Sequence, residues 1–144
     1  MNQEERLRKH SAKYLPCFVD TCPRHESCLH WLTGKYTTDT SINILCVNPV
    51  NPNIKANKCE LYREAVTGIY ARGMMHFFEM MPRQTECNIK GRLIGIYSRK
   101  RFYEYRNGVR LISPEQQQQI TRICQQEGWT GEIRYDGWEE DFLW

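Results

Sequence analysis

The 144-residue sequence predicts an α+β fold: a mostly helical single domain with a small β hairpin and a cysteine-rich N-terminal loop region. Three observations lead there. Tyr62, Val66, Ile69, Met74, Phe77, Phe78 and Met81 recur at near-helical spacing. Ser113-Pro114-Glu115-Gln116 has the serine cap, first-position proline and third-position glutamine of a helix start. Asn107-Gly108, set between residues 102–106 and 109–111, carries the pair that a tight hairpin turn favours, because both turn positions need positive φ. Residues 14–59 read as a cysteine-rich metal-binding subregion. Residues 60–144 read as a helical core with a basic aromatic segment and an acidic tail.

Taken in order, residues 2–13 form a short polar helix leading into Tyr14-Leu15-Pro16. From Cys17 to Cys28 the chain is loop-like, broken by Pro16 and Pro23. Leu29, Trp31 and Leu32 pack inward before Gly34, and residues 35–41 are a polar, threonine-rich loop. The apolar run 42–47 suits a short strand, and the Asn/Pro-rich stretch 48–53 is held in turns. The longest helix is expected over about 58–81, with Asn57 as cap, Glu60 closing a capping box and Pro82 as the stop. Its Met/Phe face reads as core, and His76 as a packed core histidine.

A second helix is expected over about 90–101. The hairpin at Asn107-Gly108 competes with a helix capped by Gly108. A helix from Ser113 to Glu127 stops at Gly128, with Ile120, Ile123 and Cys124 inward and glutamines 116–119 on a solvated face. Residues 129–138 read as a strand or extended segment. After them, Phe142-Leu143-Trp144 either covers the core's edge or stands exposed as an adhesive patch.

Composition is ordinary for a water-soluble protein, with 40% hydrophobic and 26% charged residues, and no apolar run reaches the length of a membrane span. The charged N-terminus lacks the apolar stretch of a secretory signal, which points to the cytoplasm, where thiols stay reduced. Seven cysteines, an odd number, suit a complete disulfide framework poorly.

Cys17, Cys22 and Cys28 crowd together, and Cys59 opens the expected long helix. Thiolates so gathered suit zinc, whose ligand pairs are usually two to four residues apart. Cys17 and Cys22 meet that spacing, whereas the gap to Cys28 is slightly wide. Cys59 is the preferred fourth ligand because a helix N-terminus favours a thiolate. Cys46 is its rival, and His25 or His30 could replace one thiolate. The same residues suit an iron–sulfur cluster, or remain unligated thiols. Cys87 and Cys124 stand apart as ordinary thiols. No zinc-protease, deaminase, nucleophile-elbow or phosphate-loop motif occurs, so the expectation is a protein that is not an enzyme.

Charge is uneven: residues 83–110 hold eight basic against two acidic side chains, and residues 111–144 hold two against seven. Within the basic stretch, Arg99, Lys100, Arg101, Tyr103, Tyr105 and Arg106 interleave cations with aromatic rings. That mixture suits DNA or RNA, since cations neutralise phosphates and rings stack on bases. Against it stands a helix whose aromatics face the core, or an acidic tail folded across the patch. A protein partner is the other option for this surface.

Cys17…Cys22-Pro23…Cys28, Tyr105-Arg106-Asn107-Gly108, Ile112-Ser113-Pro114-Glu115 and Gly128-Trp129 together resemble a family of small, uncharacterised cysteine-containing proteins of Bacteroides-type bacteria. The likeness spans about residue 14 to the C-terminus. It implies a single bacterial domain, carries no assigned activity and supplies no catalytic residues.

Overall fold

Asn2 opens the first helix with a full capping box: its side chain accepts from the Glu5 N–H, and Glu5 reaches back to the Asn2 N–H. The helix, α1 (Gln3–Ser11), turns Leu7 inward and pairs Arg8 with Glu4 one turn away. The computed structural model describes residues 1–37, 42–55 and 57–144; residues 38–41 of the expected threonine-rich loop lie outside them. The described chain forms two compact units, residues 1–66 with 142–144, and residues 67–141.

In the first unit a 3₁₀ turn (His25–Ser27) leads into α2 (Leu29–Gly34). Leu7, Leu29 and Phe142 are its fully buried apolar cluster, flanked by Tyr14, Leu32, Tyr36, Ala65 and Trp144. The aromatic C-terminus is therefore internal to this unit, not an exposed patch. Phe142 is buried, Trp144 stacks on His10, and Arg63 donates to the Leu143 and Trp144 carbonyls. The run 42–47 forms no strand, and Ile42, Ile44 and Leu45 are exposed.

The second unit holds β1 (Thr67–Arg72), α3 (Arg83–Tyr97), α4 (Arg99–Arg106), α5 (Pro114–Gln126) and β2 (Gly137–Phe142), whose last residue already belongs to the first unit. The two strands pair antiparallel. Ile89 and Leu93 of α3, Phe102 and Tyr105 of α4, and Ile120, Ile123 and Cys124 of α5 close one core over Ala71, Met74, Phe77, Phe78, Met81 and Ile112. Each helix contributes at three- and four-residue spacing, as an inward stripe requires. The mixed, predominantly helical α+β class follows from these elements.

Several boundaries differ from the sequence reading. The helix expected over 58–81 does not form. Thr67-Gly68-Ile69-Tyr70 favours a strand, β2 supplies the partner, and Gly73 ends the strand at φ +76, where a side chain is strained. Pro82 starts α3 instead of stopping a helix. Met74, Phe77, Phe78 and Met81 are core as expected, but they lie in turns, and Val66 and Ile69 are exposed. The hairpin at Asn107-Gly108 gives way to its competitor: α4 ends there, with the Asn107 N–H on the Tyr103 carbonyl and the Gly108 N–H on that of Tyr105. The helix expected over 90–101 is split at Ser98, whose φ of 74 and ψ of 157 break the chain direction while its hydroxyl caps α4. The start of α5 is as read, capping box included. Its glutamines are not merely solvated: Gln116 donates to the Tyr105 hydroxyl, and Gln117 to the Ile69 and Ile112 carbonyls. His76 is exposed rather than packed.

Candidate metal centre

Cys17, Cys22, Cys28 and Cys59 line one cavity of about 240 Å³ in the first unit. Backbone contacts carry each of them there. The Cys17 N–H donates to the His30 carbonyl at 2.8 Å. Gly34 lets that strand of chain approach α2, because a Cβ at Gly34 would stand 2.6 Å from the Cys17 carbonyl oxygen. Cys28 sits at the junction of the 3₁₀ turn and α2 and is nearly buried.

The segment carrying Cys59 docks alongside. Cys28 and Glu64 form an antiparallel bridge; the Leu29 N–H donates to the Arg63 carbonyl at 2.8 Å, and the Ala65 N–H to the Ser27 carbonyl at 2.8 Å. Side chains add to this: the Tyr62 and Ser27 hydroxyls meet at 2.9 Å, and the Arg24 guanidinium lies 4.0 Å from the Tyr62 ring centre. Val47, Ile54, Leu61 and Trp31 supply apolar wall. Cys59 thus reaches the cavity from a loop, not from the first turn of a helix.

All seven cysteines are free thiols. Burial pushes the Cys17 thiol above its ordinary range, and the neighbouring sulfurs of Cys28, Cys22 and Cys59 push it further, against the Val19 backbone hydrogen bond. Cys46 is not on the wall, although Val47 beside it is. Cys87 is exposed and Cys124 buried, both in the second unit. Burial raises the Cys124 thiol to about 11.

Among the described residues, no group of three or more His, Cys, Asp or Glu side chains is arranged to hold a metal ion. The donors therefore share a wall without closing a coordination site as they stand. Their chemistry, four soft sulfurs on one cavity, fits zinc or an iron–sulfur cluster. Sequence spacing singled out Cys17, Cys22 and Cys28, whereas Cys59 was chosen for a helix start that does not form and lines the cavity from a loop instead. Nothing local in the sequence foretold the wall residues of 47–62, whose place depends on the 27–29 and 63–65 pairing.

The basic aromatic stretch is α4. Phe102 and Tyr105 are buried in the second unit's core, so neither is a stacking surface. Arg106 gives its backbone carbonyl to the Met74 N–H, and its Nε is enclosed. Arg99, Lys100 and Arg101 are exposed, as is Tyr103 at 39%. Arg110 pairs with Glu104, and Arg92 with Glu127. The acidic C-terminal residues are engaged elsewhere. Glu139 pairs with Arg72, Glu140 accepts from Thr67, and Asp136 accepts from the Met75 N–H at 2.7 Å, the His76 N–H at 3.1 Å and His76 Nδ1 at 2.9 Å.

Among the described residues, no helix is long and apolar enough to cross a membrane. No curated protein and no solved structure matches the chain. A family model does, over residues 1–144, and the chain belongs to the family it describes, the family of unknown function DUF6078.

Proposed function

We propose that this is a metal-binding protein, not an enzyme, whose first unit is stapled by a zinc ion on Cys17, Cys22, Cys28 and Cys59, and that its role is accessory or regulatory. The observation that carries the reading is the meeting of four cysteines, spread over 43 positions of sequence, on one cavity. The small apolar core of that unit supports it, since Leu7, Leu29 and Phe142, with Val47 and Cys28 buried besides, are little core among the described residues for a stretch of this length. When bound, zinc would supply the cross-link that a larger core supplies elsewhere. An iron–sulfur cluster on the same thiols is the other occupant their chemistry allows, and it would colour the protein. The test is zinc retention through gel filtration by Cys22→Ser and Cys28→Ser variants. Loss of metal with a lowered melting temperature is expected; metal content and melting equal to wild type would refute the ligand set.

A second reading rests on α4. Arg99, Lys100 and Arg101 crowd its first turn, which holds no acidic residue, so three cations face the positive end of the helix dipole. That arrangement costs a few tenths to about 1 kcal/mol per cation, and an anionic partner would offset it. With Tyr103 exposed beside them, nucleic acid is the partner we propose for this face. Three phosphate contacts give a slope of log K against log salt of about −2 to −3. Absent or salt-independent binding of DNA and RNA would reject nucleic acid and leave a protein partner for this face.

A further inference from the structure

Cys22, His25, Cys28 and Trp31 follow one another at three-residue intervals, and all four line the cavity. The backbone turns at each interval: the His25 N–H donates to the Cys22 carbonyl, the Cys28 N–H to that of His25 and the Trp31 N–H to that of Cys28, each at 3.1 Å. Cys28 is extended between the 3₁₀ turn and α2, and the four side chains meet on the cavity wall. The wide gap between Cys22 and Cys28 is thus filled at its midpoint, giving C-x2-H-x2-C.

We infer that His25 supplies a nitrogen donor to this cavity, so that the metal centre is a mixed sulfur and nitrogen site. This inference rests on the metal reading above. His25 Nδ1 lies 2.5 Å from the Cys22 carbonyl oxygen, which can only accept, so Nδ1 carries the proton. In the neutral ring that leaves the lone pair on Nε2. A histidine held by a backbone carbonyl through one nitrogen and offering the other is the usual arrangement of a metal ligand. Trp31 fixes the ring plane further, edge to face at 4.3 Å between centres.

His30, the other histidine on the wall, is held at Nδ1 in the same way, by the Leu15 carbonyl at 2.7 Å. Its Nε2, however, meets the Tyr14 hydroxyl at 3.5 Å and its ring stacks on Tyr14, whereas His25 Nε2 has no such hydrogen-bond neighbour among the described residues. With His25 the cavity has five donors for an ion that takes four. One thiol is then surplus, and the one-segment set of Cys22, His25 and Cys28 leaves Cys17 and Cys59 to compete for the last position.

X-ray absorption at the zinc edge on the wild-type, zinc-loaded protein tests this without needing a variant to fold. The expected shell contains sulfur at about 2.3 Å and nitrogen at about 2.0–2.1 Å. In His25→Ala the nitrogen signal should vanish and zinc affinity should fall about 10-fold or more, whereas His30→Ala should retain the nitrogen. A shell of sulfur alone overturns the inference and leaves the metal reading standing. So does a nitrogen signal that survives His25→Ala. Protein that takes up no zinc overturns both.

Discussion

Stripping the metal with a chelator is expected to unfold the first unit and spare the second. The magnitude follows from the two cores. Leu7, Leu29 and Phe142 are the fully buried apolar side chains of the first unit's cluster. At about 1.5–3 kcal/mol each they contribute on the order of 5–9 kcal/mol. A structural zinc contributes about 10–16 kcal/mol at neutral pH, more than that cluster. The second unit buries thirteen residues in one cluster and needs no such staple.

Hydrogen exchange read by mass spectrometry separates the units. The amides of Cys17, Leu29 and Ala65, which hold the cavity's backbone frame, are the reporters for the first unit. A loss of only 4 kcal/mol speeds their exchange about a thousandfold, and amides in α3 and α5 should change little. Equal protection at Cys17, Leu29 and Ala65 before and after chelation would refute the reasoning, because the cluster would then suffice without metal.

Four further outcomes are expected. Gly34→Ala sets a methyl against the Cys17 backbone carbonyl and should cost about 1–3 kcal/mol, with weakened zinc binding; unchanged melting would show that the approach is not tight. Ser98→Gly should stabilise by about 1 kcal/mol, because Ser98 occupies a backbone region that only glycine enters freely and glycine loses little as a cap; denaturant midpoints decide it. Asp136→Asn should cost about 1–2 kcal/mol, since the carboxylate accepts from two backbone amides and His76. Asp136 also raises the His76 pKa, first through that hydrogen bond, so stability is fully present below the ordinary value of 6.5 and lost as pH rises through the raised one; the variant should flatten this dependence. Burial raises Cys124 from 9.0 to about 11 and Tyr97 from 10.0 to about 12, so their contribution holds below pH 9 and declines as pH rises through 9–12, visible in alkaline melting curves of the second unit.

What the sequence disclosed, and what it hid, divides along local and non-local physics. The capping box of α5 is local and was legible at Ser113; that of α1, at Asn2, is equally local and went unread. The crowding of Cys17, Cys22 and Cys28 was legible by residue type and spacing, but Cys59 was chosen for a helix start that is absent and joins them on the cavity wall through the 27–29 and 63–65 pairing. The Met74–Met81 run was legible as core but not as structure. Helical spacing is also met by residues that reach inward from turns, and β1 was hidden because its partner β2 lies some 65 positions away. Asn107-Gly108 satisfies a hairpin turn and a helix end equally well, and Tyr105, buried and bonded to Gln116, decides for the helix. His25 was visible only as one alternative, because its place between Cys22 and Cys28 gains meaning once all three are known to line one cavity.

Elemental analysis of the full chain, purified anaerobically without chelator, decides whether the cavity lined by Cys17, Cys22, Cys28 and Cys59 holds metal. Colourless protein carrying about one zinc per chain is expected, released when Cys22 or Cys28 is replaced by serine. Protein that arrives metal-free, takes up neither zinc nor iron, and keeps its first unit folded would contradict the metal reading.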